Sequence, residues 1–489
     1  LDGPAITPLR RNILILLLLN WVWILGGALY TLTPVATTNE YHQTIARLTW
    51  PAQTPAAGHE MVRFATAHMV AAGEGFQVPG AREQTPDLVR LPGAVQGDEG
   101  RLVPRFSPLY GLLLGGLVKL TALTNNGGVV DAKLPALLTY RVLTLVPALI
   151  AATVLCWTFG HSVDLRGLHD RRWWVVMVPV VLLSPLALRE TYLNEQALAA
   201  ALLWAGLAQL NTCLFRAAKE QPCGPWAVTA GILLLLAAGL VPVAFAAAVG
   251  YGGVLLASTQ PTLQRVGQQM AIGAAVGAVV VVLSQMWGFD KLLPLLAYYD
   301  PEIRTAVRTV VANLIGSNGL LWMFPLTALG LVVLVSRILR TQELEEAKKV
   351  DLFRAGQGAF HWGAYWTMLA AVGLAVVDGA FFYGVPAFGE GVPLGRAMTF
   401  AGQQISVAYY LHHYGGDGWV VLLPLAAYYC TFLFREPVLE SWQPWYHNLS
   451  RVGLLVWFFG CAQPVGGWVF PLIEACFRWA TNVATYYPL

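Results

Sequence analysis

The stretch Ile13-Leu14-Ile15-Leu16-Leu17-Leu18-Leu19-Asn20-Trp21-Val22-Trp23-Ile24-Leu25-Gly26-Gly27-Ala28-Leu29-Tyr30-Thr31-Leu32 decides the class of this fold. It carries no charged residue, and as a helix rising 1.5 Å per residue it is long enough to cross the ~30 Å hydrocarbon core of a bilayer. The same texture recurs near 107–123, 135–159, 173–188, 195–215, 225–240, 242–258, 269–287, 319–336, 360–379, 418–434 and 452–472, with a weaker run over 397–412. Runs so continuously apolar do not suit a β-barrel, whose strands alternate apolar and polar residues. The expected fold is all-α: a polytopic transmembrane helical bundle of about 11 to 13 membrane segments, with boundaries good to ~2–4 residues.

Composition agrees with that reading. Of 489 residues, 56% are hydrophobic and 12% charged, against ~25% charged in a soluble domain, and the mean hydropathy is +0.57. The 30 basic and 27 acidic residues leave a net charge of +3, so no global field attracts nucleic acid and none is expected as a partner. The six cysteines stand singly, without a C-x-x-C or a zinc spacing, and read as small core residues. Arg10-Arg11 ahead of the first run reads as a signal anchor with a cytoplasmic N-terminus, and the leading Leu1 suggests a native start further upstream.

The chain is expected to form one membrane domain over 1–489, made of a first extracytoplasmic loop (33–106), core helices (107–336), a charged cytoplasmic connector (337–359) and C-terminal helices (360–489). Lys and Arg favour the cytoplasmic side, yet three crossings at 13–32, 107–123 and 135–159 would put Arg166, Arg171 and Arg172 outside. The short run 107–123 is therefore expected to be re-entrant or interfacial.

In the first loop, Met61, Phe64, Ala65, His68, Met69 and Ala72 share one stripe at helical spacing, which predicts an amphipathic helix on the membrane surface. Glu60 and Arg63 stand off it, three apart. They read either as a carboxylate base beside a phosphate-binding cation or as an exposed ion pair. Arg101 and Arg105 can neutralise a lipid phosphate or snorkel. Glu195 opens a later helix, where a carboxylate compensates the N-terminal dipole. His412, His413 and Asp417 form a polar cluster, but adjacent positions on a helix diverge by about 100° and seldom share one ion.

The order of these features resembles the GT-C superfamily of polytopic glycosyltransferases. The resemblance is carried by His59-Glu60-Met61-Val62-Arg63 in a long first loop, Gly73-Glu74-Gly75-Phe76, Gly100-Arg101, Arg105-Phe106-Ser107-Pro108-Leu109, Leu193-Asn194-Glu195, Asn313 to Trp322 before Pro325, and Gly391 to Arg396. It implies transfer of a sugar from a polyprenyl-phosphate donor at the extracytoplasmic face of a bacterial-type inner membrane, with inversion. By position Glu60 would be the base, with Glu40 its rival, and Arg63, Arg101, Arg105 and Glu195 would line the donor phosphate. Many members carry Asp-Glu where this chain has His59-Glu60. Membrane lipids and a lipid-linked sugar are the implied partners, no cofactor is certain, and a divalent metal is left open. The alternative readings are a non-catalytic GT-C-like subunit of a larger membrane complex and, third, a transporter.

Overall fold

The computed structural model describes residues 7–30, 55–76, 94–96, 102–104, 106–124, 133–184, 186, 193–289, 325–346, 352–381, 397–400, 403–406 and 421–434. The architecture is an all-α helical bundle. Helix α1 spans Pro8–Tyr30, α2 Pro55–Ala72, α3 Pro108–Thr124, α4 Lys133–Leu165 and α5 Asp170–Val178. Then come α6 (Gln196–Ala218), α7 (Gly224–Leu240), α8 (Phe245–Leu256), α9 (Pro261–Phe289), α10 (Pro325–Glu346), α11 (Leu352–Phe381) and α12 (Leu423–Cys430). Among the described residues four helices are long and apolar enough to cross a membrane, within α1, α4, α6 and α9, and five shorter apolar helices accompany them. This is a membrane protein, and α6 sits at its centre: Leu203, Trp204, Leu207 and Leu210 are buried, whereas α1 and α9 expose Leu18, Val22, Ile272 and Leu283.

Glycines set the helix packing. A Cβ at Gly231 would strike the backbone of Met270 and Ala274, and one at Gly273 would strike Val228, so α7 and α9 touch backbone to backbone. Small residues permit such approaches where lipid supplies no hydrophobic drive between helices. Gly250 of α8 meets Thr367 and Gly363 of α11 meets the Tyr251 ring in the same way.

The contacts also fix directions. Ile13 packs on Gly160 while Ile24 clusters with Ala148 and Ala152, so α1 and α4 are antiparallel. Arg166, Arg171 and Arg172, which follow α4, therefore share one end of the bundle with Arg10 and Arg11. Helix α3 starts at the opposite end: the Ser107 hydroxyl donates to the Gly239 carbonyl at the end of α7, and Pro108 lies against Gly288 at the end of α9. It finishes with Thr121 Oγ1 3.4 Å from Thr139 Oγ1, in the first turns of α4 and so still in that half. With 17 residues it rises only ~25 Å. Helix α2 runs antiparallel to it, Phe76 crossing Gly111 and Val70 crossing Gly115. The pair forms a helical hairpin that returns the chain to its own side, and this resolves the charge conflict.

Several expected segments differ. The run 173–188 is not one spanning helix: α5 passes into a π turn over Pro179–Leu183 and stops at Ser184, ahead of Pro185, since a residue before proline disfavours the helical region. The weak run 397–412 contains a hairpin instead, Ala397–Phe400 paired with Gln403–Ser406. Its Gln403-Gln404 amides would have been costly in hydrocarbon. The first loop holds a second hairpin, Ala94–Gln96 with Leu102–Pro104. The run 452–472 and the loop 290–324 lie outside the described residues.

Candidate functional site

Helix α2 was expected to bury Met61, Phe64, Ala65, His68, Met69 and Ala72 and to leave Arg63 in water. Of these, Phe64 is buried, His68 and Met69 are half-buried and Ala72 is exposed, while the side chains of Met61 and Ala65 lie outside the described residues; Arg63, Thr66, Ala67 and Val70 are buried as well. The helix is rotated so that a guanidinium enters the interior, which requires a countercharge. Glu195 supplies it. Arg63 Nε donates to Glu195 Oε2 at 2.8 Å and Arg63 NH2 to Oε1 at 2.9 Å, and the two side chains are only 11% and 10% exposed. This two-pronged geometry is the strong form of the arginine–carboxylate contact.

Local chemistry explains why Glu195 is available. The Asn194 side chain caps α6, its Oδ1 accepting from the Gln196 N–H at 2.6 Å, and the Glu195 side chain makes no capping bond. The expected role of Glu195 as a dipole partner thus passes to Asn194. Tyr110 of α3 donates to the Asn194 carbonyl at 3.1 Å, tying α3 to the same turn. Phe106 places its ring 5.5 Å from the Arg63 guanidinium carbon and meets Phe76 edge-on at 5.1 Å. The node therefore joins α2, α3 and the start of α6.

One turn along α2 from this node, His68 Nδ1 lies 3.0 Å from the Phe64 carbonyl, to which its N–H donates. Burial lowers the His68 pKa below the ordinary 6.5, and the Phe64 bond opposes that shift.

Of the residues singled out in the sequence, Arg63 and Glu195 are brought into contact. Arg63 pairs with a carboxylate 132 positions away. Glu60 belongs to α2 one turn before Arg63, but its side chain lies outside the described residues, as do Glu40, Arg101, Arg105, His412, His413 and Asp417. Among the described residues no cluster of three His, Cys, Asp or Glu could hold a metal ion. Sequence reasoning missed Tyr110, Asn194 and Phe106 as parts of the node; the Asn-Glu-Gln run at a helix start was the available signal for capping. Compared with known protein families, curated proteins and solved structures, the chain matches none.

Proposed function

We propose that this chain is a membrane glycosyltransferase that moves a sugar from a polyprenyl-phosphate donor to an acceptor hydroxyl at the extracytoplasmic face. The observation that carries the reading is the buried Arg63–Glu195 pair, which fixes α2 and the Glu60 turn against the bundle end opposite the Arg10-Arg11 end. By the positive-inside bias that opposite end is extracytoplasmic. In this reading Glu60 deprotonates the acceptor hydroxyl, the oxygen bonds to C1 of the sugar, and the bond from C1 to the phosphate oxygen breaks. Arg101 and Arg105 stabilise the departing phosphate. Arg63 and Glu195 act as positioning residues rather than as donor ligands, because each already satisfies the other.

Transfer of radiolabelled sugar from polyprenyl-phosphate donors by the purified chain tests this. Glu60→Gln keeps the size and removes the base, so turnover should fall by ~10² or more, with unfolding temperature unchanged. A chain that transfers no sugar from any such donor, or whose Glu60→Gln and Glu40→Gln variants both keep full activity, would refute the reading.

The same ion pair favours a second reading, a non-catalytic subunit of a larger membrane complex, since two residues suited to a phosphate site are spent on each other. Co-purification of other subunits in fixed stoichiometry, without transferase activity, would support it.

A further inference from the structure

Helix α6 leaves the Arg63–Glu195 node at Gln196 and, with 23 residues, rises ~34 Å, so it finishes at the Arg10-Arg11 end. Helix α7 returns from there, since its last turn, at Gly239, meets Ser107 at the node end. The turn between them is closely defined. The Glu220 N–H donates to the Ala217 carbonyl at 3.0 Å and the Gln221 N–H to the Arg216 carbonyl at 2.9 Å, and Glu220 takes a φ of 57°. Arg216 Nε donates to the Pro222 carbonyl at 3.1 Å, and its guanidinium carbon lies 4.4 Å from the Trp226 ring centroid. The chain ahead of α7 is thereby held against the end of α6.

This turn brings two thiols together. Cys213, buried in α6, donates from Sγ to the Cys223 carbonyl at 3.4 Å, and its thiol also meets the Cys223 thiol. Both thiols are free. Cys223, the residue before α7, is half-buried and follows the exposed Gln221 and Pro222. One thiol is thus open to the aqueous side and the other is sheltered behind it, the arrangement of an attacking and a resolving thiol. A disulfide requires side chains that are already close, because its bond geometry tolerates little displacement. At a cytoplasmic surface such bonds are usually transient and redox-sensing.

We propose that Cys213 and Cys223 form a reversible dithiol–disulfide site that exchanges with low-molecular-weight disulfides at the Arg10-Arg11 end. The Cys223 thiolate attacks one sulfur of glutathione disulfide, forming a mixed disulfide and releasing one glutathione thiolate. Cys213 Sγ then attacks Cys223 Sγ, and its proton passes to the second glutathione as that leaves. Two protein thiols are oxidised to one disulfide, and one glutathione disulfide is reduced to two glutathiones. The bridge locks the end of α6 to the start of α7, and it is independent of any transferase activity.

The test incubates the full chain in neutral detergent with glutathione disulfide, blocks the remaining thiols with an alkylating reagent and identifies tryptic peptides by mass. Trypsin cuts after Arg216 and Lys219, between the two cysteines, so the bridge joins two peptides that separate on reduction. The linked pair should form, should revert under excess reduced glutathione, and should outpace any modification of buried Cys156 and Cys430 by about tenfold or more. Cys213→Ser should halt the reaction at a glutathione adduct on Cys223, and Cys223→Ser should leave Cys213 without an adduct. Where Cys213→Ser fails to fold, Cys213→Ala, which places no hydroxyl in the buried site, should give the same adduct on Cys223. Absence of the linked pair, a lasting adduct on Cys223 in the parent, a bridge that reduced glutathione does not reverse, an adduct on Cys213 in Cys223→Ser, or equal modification of Cys156 or Cys430 would overturn the proposal.

Discussion

Arg63, where α2 and α3 meet the bundle, gives its guanidinium to the Glu195 carboxylate, whereas Arg166 and Arg337, at the other end, rest against the rings of Tyr428 and Phe432. The first arrangement cancels a charge inside the protein, and the second holds charge in place by contact with aromatic faces. A cancelled charge ties two segments of chain together and offers little to a ligand. The first arrangement clasps the first-loop hairpin to the bundle, and the second packs α4 and α10 onto one aromatic cluster.

The largest expected effect breaks the clasp from one side. Glu195→Gln leaves Arg63 buried without its countercharge and should cost ~3–5 kcal/mol of unfolding free energy. Arg166→Gln removes a ring contact at the other end and should cost only ~1 kcal/mol. Denaturant unfolding in detergent measures both, and equal costs would erase the distinction between the ends.

Within the hairpin, neighbouring glycines separate packing from charge. A Cβ at Gly115 would strike Val70, while one at Gly116 meets nothing within 4 Å. Gly115→Ala should therefore cost ~1–3 kcal/mol and Gly116→Ala should stabilise by roughly 0.5–1 kcal/mol. A hairpin held by the ion pair alone would make the two substitutions alike.

Asn20 provides a third case, neither cancelled nor braced. It is fully buried in α1, and its side-chain atoms have no hydrogen-bond partner among the described residues. An unsatisfied buried amide costs ~1–3 kcal/mol, and an apolar residue of similar shape removes that cost. Asn20→Leu should accordingly raise stability by about 1 kcal/mol or more in the same assay; a loss of stability would mean that the amide has a bound partner.

The smallest effect concerns pH at the clasp. Burial holds His68 below its ordinary pKa of 6.5, so the folded protein binds fewer protons than the unfolded chain between the two values. The stability from the neutral imidazole is complete above pH 6.5 and is lost as pH falls through the lower folded value. The unfolding midpoint of the parent should drop over that interval more than that of His68→Gln, and parallel pH profiles would remove His68 from the account.

Much of the bundle was legible because apolar runs report membrane helices directly: α1, α4, α6, α7 and α9 fall on expected segments. The rotation of α2 was not. Periodicity places Arg63 off the apolar stripe, and a carboxylate 132 positions away makes its burial tolerable. Glu195 and Arg63 were each recognisable as charged residues at telling positions, but no local pattern encodes their pairing. At the other end Arg166 and Arg337 read as markers of membrane orientation, and Tyr428-Tyr429 with Phe432 as part of an apolar run. Their convergence depends on the packing of α12 among α4, α10 and α11, which a one-dimensional pattern does not contain.

A double-mutant cycle on Arg63 and Glu195 tests the clasp most directly. Unfolding free energies of the parent, Arg63→Met, Glu195→Gln and the double variant would be compared in one detergent. Each single change should cost several kcal/mol, and the double variant should cost less than the sum by ~2–3 kcal/mol, the coupling of buried partners. Additive single and double costs would contradict the account, because they would mean that the two side chains do not depend on each other.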